Sequence, residues 1–154
     1  MKIIDGKESK TQFNISVIVS RFNSEVTKLL LQGALERLKE LGFSENQTTV
    51  VWVPGAIEIP LAAQRVAQLG LHEAILCLGA VIRGETDHYK YVAEQASIGC
   101  QQVALQNDIP VVFAVLTTEN EEQALARAGG KQGNKGREAV DTAVEIVSVL
   151  RLIG

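Results

Sequence analysis

The sequence predicts a three-layer α/β/α domain built on a four-stranded parallel sheet. Two observations predict it: four short apolar runs rich in β-branched residues, and helical periodicity in the stretches between them. A third makes it one domain spanning residues 1–154, because no proline-rich, serine-rich or charge-biased linker divides the chain.

Residues 1–13 precede the first run and read as an N-terminal arm. A strand is possible around Lys2 to Ile4, but it has no partner within the domain, so the arm is expected to pair with a neighbouring subunit. The strand runs are Ile15 to Ser20, Thr48 to Val53, Ala74 to Ala80 and Val111 to Leu116. Each is continuously apolar or nearly so, as strands buried on both faces of a parallel sheet should be. Between the first two, Val26, Leu30, Ala34, Leu38 and Leu41 form one helical stripe. An apolar helix begins near Glu58, and Val92, Ala96, Cys100 and Val103 form a further stripe at three-to-four spacing. Thr118 with Glu121 resembles a capping box opening a short helix before Gly129. The last helix shows Val140, Ala143, Val144, Val147 and Leu150 on one side. Alternation of this kind closes into layers through right-handed crossovers.

Composition narrows the function. Apolar residues make up 46% and charged residues 21%, with a net charge of −3, so there is no general basic field to grip nucleic acid. A small anionic ligand fits better, held by a local cluster such as Lys131, Lys135 and Arg137. The opening MKIIDGKESK lacks the apolar run of a signal peptide, and no stretch approaches a membrane span; a cytoplasmic location without membrane association is expected. Cys77 and Cys100 stand in apolar surroundings without metal-ligand spacing and read as small buried hydrophobes, so no metal is expected.

Open parallel sheets bind ligands beyond the carboxyl ends of their strands, where helix N-termini present free N–H groups. Unusual residues collect there: Arg21-Phe22-Asn23-Ser24, Pro54-Gly55-Ala56-Ile57-Glu58, Arg83-Gly84-Glu85-Thr86-Asp87-His88 and Thr117-Thr118. The stretch Gly79 to Thr86 has P-loop spacing, but Glu85 stands where the phosphate-binding lysine belongs, which argues against a nucleoside triphosphatase. Gly84, Glu85 and Thr86 still offer backbone donors and a hydroxyl to a single phosphate, or else simply turn and cap a helix. His88, in the first helical turn, is a candidate general base or an ordinary surface histidine; His72 reads as a surface turn residue. Phe22 either stacks on a planar ligand or staples its helix. Glu58 either bonds ligand hydroxyls or complements a helix dipole. Arg127 to Gly136 concentrates four glycines and three cations, which suits a phosphate grip or a solvated linker.

Four segments resemble the signatures of the lumazine synthase (6,7-dimethyl-8-ribityllumazine synthase) family: Ser20-Arg21-Phe22-Asn23, Val53-Pro54-Gly55-Ala56-Ile57-Glu58-Ile59-Pro60, Gly79 through Tyr89, and Gly133-Asn134-Lys135-Gly136. They stand in the right order and span nearly the whole chain. The layered fold is then of the flavodoxin-like kind. The resemblance implies condensation of 5-amino-6-(D-ribitylamino)uracil with 3,4-dihydroxy-2-butanone 4-phosphate, giving the lumazine and releasing phosphate and water, without metal or organic cofactor.

It also implies roles. Phe22 stacks on the pyrimidine, and Asn23, Ala56, Ile57, Glu58 and the backbone of Ala80, Val81 and Ile82 hold the uracil and ribityl groups. Gly84, Glu85, Thr86 and Arg127 bind the phosphate; His88 moves protons with Lys135 assisting. Phe113 and Lys131 approach from a neighbouring subunit. Ile57 departs from the family, where an aromatic is common, and replaces stacking by aliphatic contact. Pentamers are implied, and the short Gly129 to Gly133 connection points to a shell of sixty subunits, with riboflavin synthase as a partner it would enclose. Two alternatives are a riboflavin synthase of the same fold, which the phosphate loop argues against, and a non-catalytic flavin-binding or shell-forming protein.

Overall fold

The computed structural model describes residues 1–7 and 12–154. Strands β1 (Ile15–Ser20), β2 (Thr48–Val53), β3 (Ala74–Ile82) and β4 (Val111–Thr118) form one sheet of order β2-β1-β3-β4, with every neighbour pair parallel. Helices α1 (Ser24–Glu40) and α5 (Lys135–Ile153) cover one face; α2 (Ile59–Leu69) and α3 (His88–Asn107) cover the other. The expected three layers are present. Helix α4 (Glu121–Ala126) leads into a small antiparallel ladder of β5 (Ala128–Gly130) and β6 (Gly133–Asn134).

The alternation of apolar residues divides the core cleanly. Ile15, Val17 and Val19 of β1 face α1 and α5, whereas Ile18 joins Ile59, Ala63, Ala96 and Cys100 under α2 and α3. Cys77 and Cys100 are free and buried within this second cluster, as small hydrophobes. Among the described residues no helix is long and apolar enough to cross a membrane, and no group of side chains could hold a metal ion.

Four expectations need correction. Strand β2 is not buried on both faces: it is an edge strand, with Thr49 and Val50 exposed. Strand β3 runs two residues past Ala80 and β4 two past Leu116, so the parallel ladder continues to Ile82 and Thr118. Thr118 does not cap α4. Asn120 does, its side chain accepting from the Gln123 N–H at 2.8 Å, while the Gln123 carboxamide oxygen accepts from the Glu119 N–H at 2.9 Å. The reciprocal logic of a capping box survives, shifted by two residues. Finally, His72, expected as a surface turn residue, is partly buried: its Nε2 lies 3.2 Å from Thr49 Oγ1, and burial pushes its pKa down.

The expected arm falls partly on residues 8–11, outside the described residues. Its first residues form no strand, and Ile3 and Ile4 are exposed. Gly6 is buried against α5, where a Cβ would come within 2.5 Å of the Glu145 carbonyl oxygen.

Candidate active site

A cavity of about 390 Å³ opens beyond the carboxyl ends of β1, β2 and β3. Three loops build its walls. The first turns sharply after β1: Asn23 adopts a left-handed conformation (φ 59°), which asparagine tolerates better than most side chains. Its Nδ2 donates to the Ala80 carbonyl at 2.8 Å, pinning the turn to β3. The neighbouring Phe22 ring is left 72% exposed over the cavity, a large apolar surface that the fold itself does not use. The staple reading of Phe22 is therefore not borne out.

The second loop is a 3-10 turn, Ala56–Glu58, entering α2 with Pro60 in the helix's first turn. It buries Ala56, leaves Ile57 46% exposed toward the cavity, and brings Glu58 Oε1 to where a Cβ on Gly55 would lie 3.2 Å away. The third wall is the end of β3, Ala80, Val81 and Ile82, followed by the loop to α3. Gly84, Thr86 and His88 line the cavity from that loop, and the Thr86 hydroxyl accepts a long bond of 3.4 Å from the His88 N–H. Arg83 steadies the loop. Its guanidinium reaches Glu119 at 3.1 Å and Asp87 at 3.7 Å and lies over the Tyr89 ring at 5.6 Å. The hydrogen bond to Glu119, above all, raises its pKa further above the ordinary arginine value.

The cavity lining is mostly apolar with a few polar groups converging on it, the usual make-up of a small-molecule site. Nine expected residues meet in it: Phe22, Ala56, Ile57, Ala80, Val81, Ile82, Gly84, Thr86 and His88. Tyr89 and Val92 also line it and were not foreseen. Their spacing gave a signal, since residues 88, 89 and 92 share one face of a helix. In a separate groove that shares Phe22 and Ile82 with the cavity, Glu25 and Glu121 approach each other, and this contact pushes the Glu121 carboxyl up.

The remaining expected residues lie elsewhere. Phe113, 39% exposed on the outer strand β4, lines a separate groove with Lys135 and Glu138. Lys135 pairs there with Glu138 at 3.2 Å. Arg127 ends α4, its Nη1 donating to the Gln123 carbonyl at 2.9 Å, and Lys131 is exposed at the hairpin. Glu85 is exposed on the loop before α3.

The glycine-rich stretch from Arg127 to Gly136 is neither a free linker nor a bare phosphate loop. It is the β5–β6 ladder, and its glycines allow close approach: a Cβ on Gly130 would meet the Leu125 carbonyl at 2.9 Å, and one on Gly136 would run into the Leu30 carbonyl of α1.

A family model described as 6,7-dimethyl-8-ribityllumazine synthase matches residues 12–151 of the chain. The 6,7-dimethyl-8-ribityllumazine synthase of Coxiella burnetii is 54% identical over 145 residues, covering 94% of this chain and 96% of the relative. That of Protochlamydia amoebophila is 49% identical over 149 residues, 97% of this chain and 87% of the relative. The Thermus thermophilus protein of the same name is 54% identical over 139 residues, 90% and 88% respectively.

Proposed function

The chain belongs to the 6,7-dimethyl-8-ribityllumazine synthase family, a transferase family of riboflavin biosynthesis, and on that premise we propose how its cavity works. It condenses 5-amino-6-(D-ribitylamino)uracil with 3,4-dihydroxy-2-butanone 4-phosphate to 6,7-dimethyl-8-ribityllumazine, releasing phosphate and water. The observation that carries the site reading is the convergence of an exposed aromatic ring, an apolar strand end and a histidine on one cavity.

The pyrimidine stacks on Phe22, with Ile57 giving aliphatic contact. The strand-end backbone from Ala80 to Ile82 hydrogen-bonds the uracil edge, and Glu58 and Asn23 receive the ribityl chain. The phosphate of the second substrate settles on the N–H groups of Gly84, Glu85 and Thr86, just before the positive end of α3. There the carbonyl carbon lies next to the amine. His88 takes the first proton that the amine loses as its nitrogen adds to the carbonyl and passes it to the carbinolamine oxygen. It then relays the remaining N–H proton to that hydroxyl, which leaves as water as the Schiff base forms. It acts again when phosphate leaves. Much of the acceleration comes from holding amine and carbonyl in one orientation, which needs no strong acid or base.

Among the described residues the lining of one copy's cavity carries no lysine or arginine for the phosphate, since Arg127, Lys131 and Lys135 lie outside it. A second copy supplies Arg127, Lys131, Phe113 and the assisting Lys135, so the site lies between subunits. A ring of five copies satisfies every such interface. Twelve rings form a sixty-subunit shell, favoured by the short turn between Gly130 and Gly133, and riboflavin synthase is the partner such a shell would enclose. The N-terminal arm adds its Ile3 and Ile4 to the β2 edge of a neighbour, which is otherwise an unpaired row of N–H and C=O groups. The enzyme works in the cytoplasm. Sedimentation that finds only free pentamers across ordinary buffers would remove the shell from this reading.

Incubation with both substrates should produce lumazine absorbance and free phosphate together. Absorbance of riboflavin from lumazine alone would instead mark the related synthase, and binding without turnover a non-catalytic scaffold.

A further inference from the structure

The carboxamide of Asn134 is the most heavily engaged side chain near the hairpin. Asn134 closes β6 and caps α5, its Oδ1 accepting from the Arg137 N–H at 3.1 Å. The other end of the same group is not spare. Its Nδ2 donates to the Leu29 carbonyl in the middle of α1 at 3.0 Å.

Two glycines, Gly33 and Gly136, make room for it. A Cβ on Gly33 would collide with all three terminal atoms of the Asn134 side chain. One on Gly136 would lie 3.1 Å from Oδ1, and one on Gly129, whose φ is +109°, 3.6 Å from Nδ2. The carboxamide is therefore seated between α1, the hairpin and the start of α5. A helix cap needs only the oxygen; any of serine, threonine or aspartate would serve. The amide nitrogen is the part that a cap does not explain.

What the seat controls is adjacent. The N–H of Lys135, next in sequence, donates to the Arg127 carbonyl at 2.9 Å, so these two cations are joined by backbone. Arg127 is fixed in turn by the Gln123 carbonyl, and Gln132 N–H by the Ala126 carbonyl at 2.8 Å. The hairpin thus holds Arg127 and Lys135 together as one body, and the Asn134 amide ties that body to α1. We propose that Asn134 is a positioning residue, setting Arg127 and Lys135 in register with α1 so that Arg127 meets the phosphate of the second substrate and Lys135 stands where it assists proton transfer. This rests on the phosphate and proton roles proposed above for those two residues.

The test uses the full-length, assembled enzyme. Asn134→Ser keeps a cap oxygen for the Arg137 N–H but is too short to reach the Leu29 carbonyl. Its KM for the butanone phosphate should rise about three- to tenfold, the scale of one lost net hydrogen bond, and kcat should fall by a similar factor as Lys135 loses its place. The KM for the ribitylaminouracil should stay unchanged, and the Kd for inorganic phosphate should rise in parallel. Gly33→Ala, which leaves Asn134 in place but crowds its carboxamide, should give the same split. A fall in active enzyme or in kcat with both KM values unchanged would make Asn134 structural only and overturn the proposal, as would failure of both variants to assemble. Arg127→Ala separates the two layers of the argument. If it leaves phosphate handling untouched, the phosphate role of Arg127 is wrong; if it raises that KM while Asn134→Ser does not, only the positioning claim falls.

Discussion

At the scale of single residues, the candidate site is built from side chains that the fold leaves idle. Phe22 is the clearest case, because its ring is 72% exposed and contributes little to the core. Phe22→Ala should therefore leave the melting temperature nearly unchanged while weakening binding of the pyrimidine by about 1–3 kcal/mol, the range for a base stacked on an aromatic. Calorimetry with ribitylaminouracil or a product analogue measures this directly, and unchanged affinity would remove Phe22 from the site. His88 tests the other half of the reading. If orientation supplies most of the rate, His88→Ala should lower kcat by no more than the roughly 10²–10⁴-fold credited to a positioned proton carrier, with product still forming. A correctly assembled variant with no detectable product would place the catalytic weight on the imidazole instead. These residues were legible in the sequence because each is the wrong type for its place: an aromatic in a turn, a histidine after a glycine-threonine loop. Tyr89 and Val92 shared a helix face with His88, but an aromatic and an aliphatic on a helix look like core until the cavity beside them is seen.

At the scale of elements, apolar periodicity located all four strands and the long helices, and failed where local polar chemistry decides. The start of α4 is set by competition among Thr118, Asn120 and Gln123 for the same N–H groups, and Thr118 instead turns its hydroxyl to the Asn120 carbonyl at 2.8 Å. The β5–β6 ladder is too short for any period to show. Within it a Cβ on Gly130 would meet the nearby Leu125 carbonyl at 2.9 Å, whereas Gly136, just beyond it in α5, answers to a distant neighbour, the α1 carbonyl of Leu30. Contact between α1 and α5 is also guarded by charge. Glu40 accepts from Arg137 at 2.6 and 2.9 Å and from Arg37 at 3.0 Å, while Arg37 reaches Asp141 at 2.8 Å. The hydrogen bonds from Arg137 and then Arg37 hold the Glu40 carboxyl down at about 2, against an ordinary value of 4.5. Folding thus favours the charged form, so its contribution is complete above pH 4.5 and drains away as the pH falls toward 2. The cluster is solvent-exposed and the effect small. Melting curves of the wild type and Glu40→Gln should differ slightly at neutral pH and converge across that acid window; a gap that stays constant with pH would show that the carboxylate is not what matters.

At the scale of the whole molecule, one chain carries the two groups of proposed site residues on different surfaces. Phe22, Gly84, Thr86 and His88 surround the cavity beyond β1 to β3, whereas Phe113 and Lys135 line a groove along the β4 edge. Sequence alone could place these residues on elements but could not say which surface each would reach, because that depends on the sheet order β2-β1-β3-β4 and on β4 being outermost. The separation gives assembly a measurable role in catalysis. Suppose each working site takes His88 from one copy and Arg127 from the next around a closed ring. His88→Ala and Arg127→Ala are then each impaired alone, but a ring containing both can form sites in which neither substituted residue takes part. Random mixing in equal amounts makes about a quarter of the sites fully native, since the two contributing copies are drawn independently. Dissociating the two variants together and reassembling them should therefore restore up to about a quarter of wild-type activity, while separate reassembly followed by mixing restores none. If both residues served the same copy's site, every site would carry one of the two defects. Co-assembly would then give only the average of the two impaired enzymes, and the proposal of a shared site would have to be abandoned.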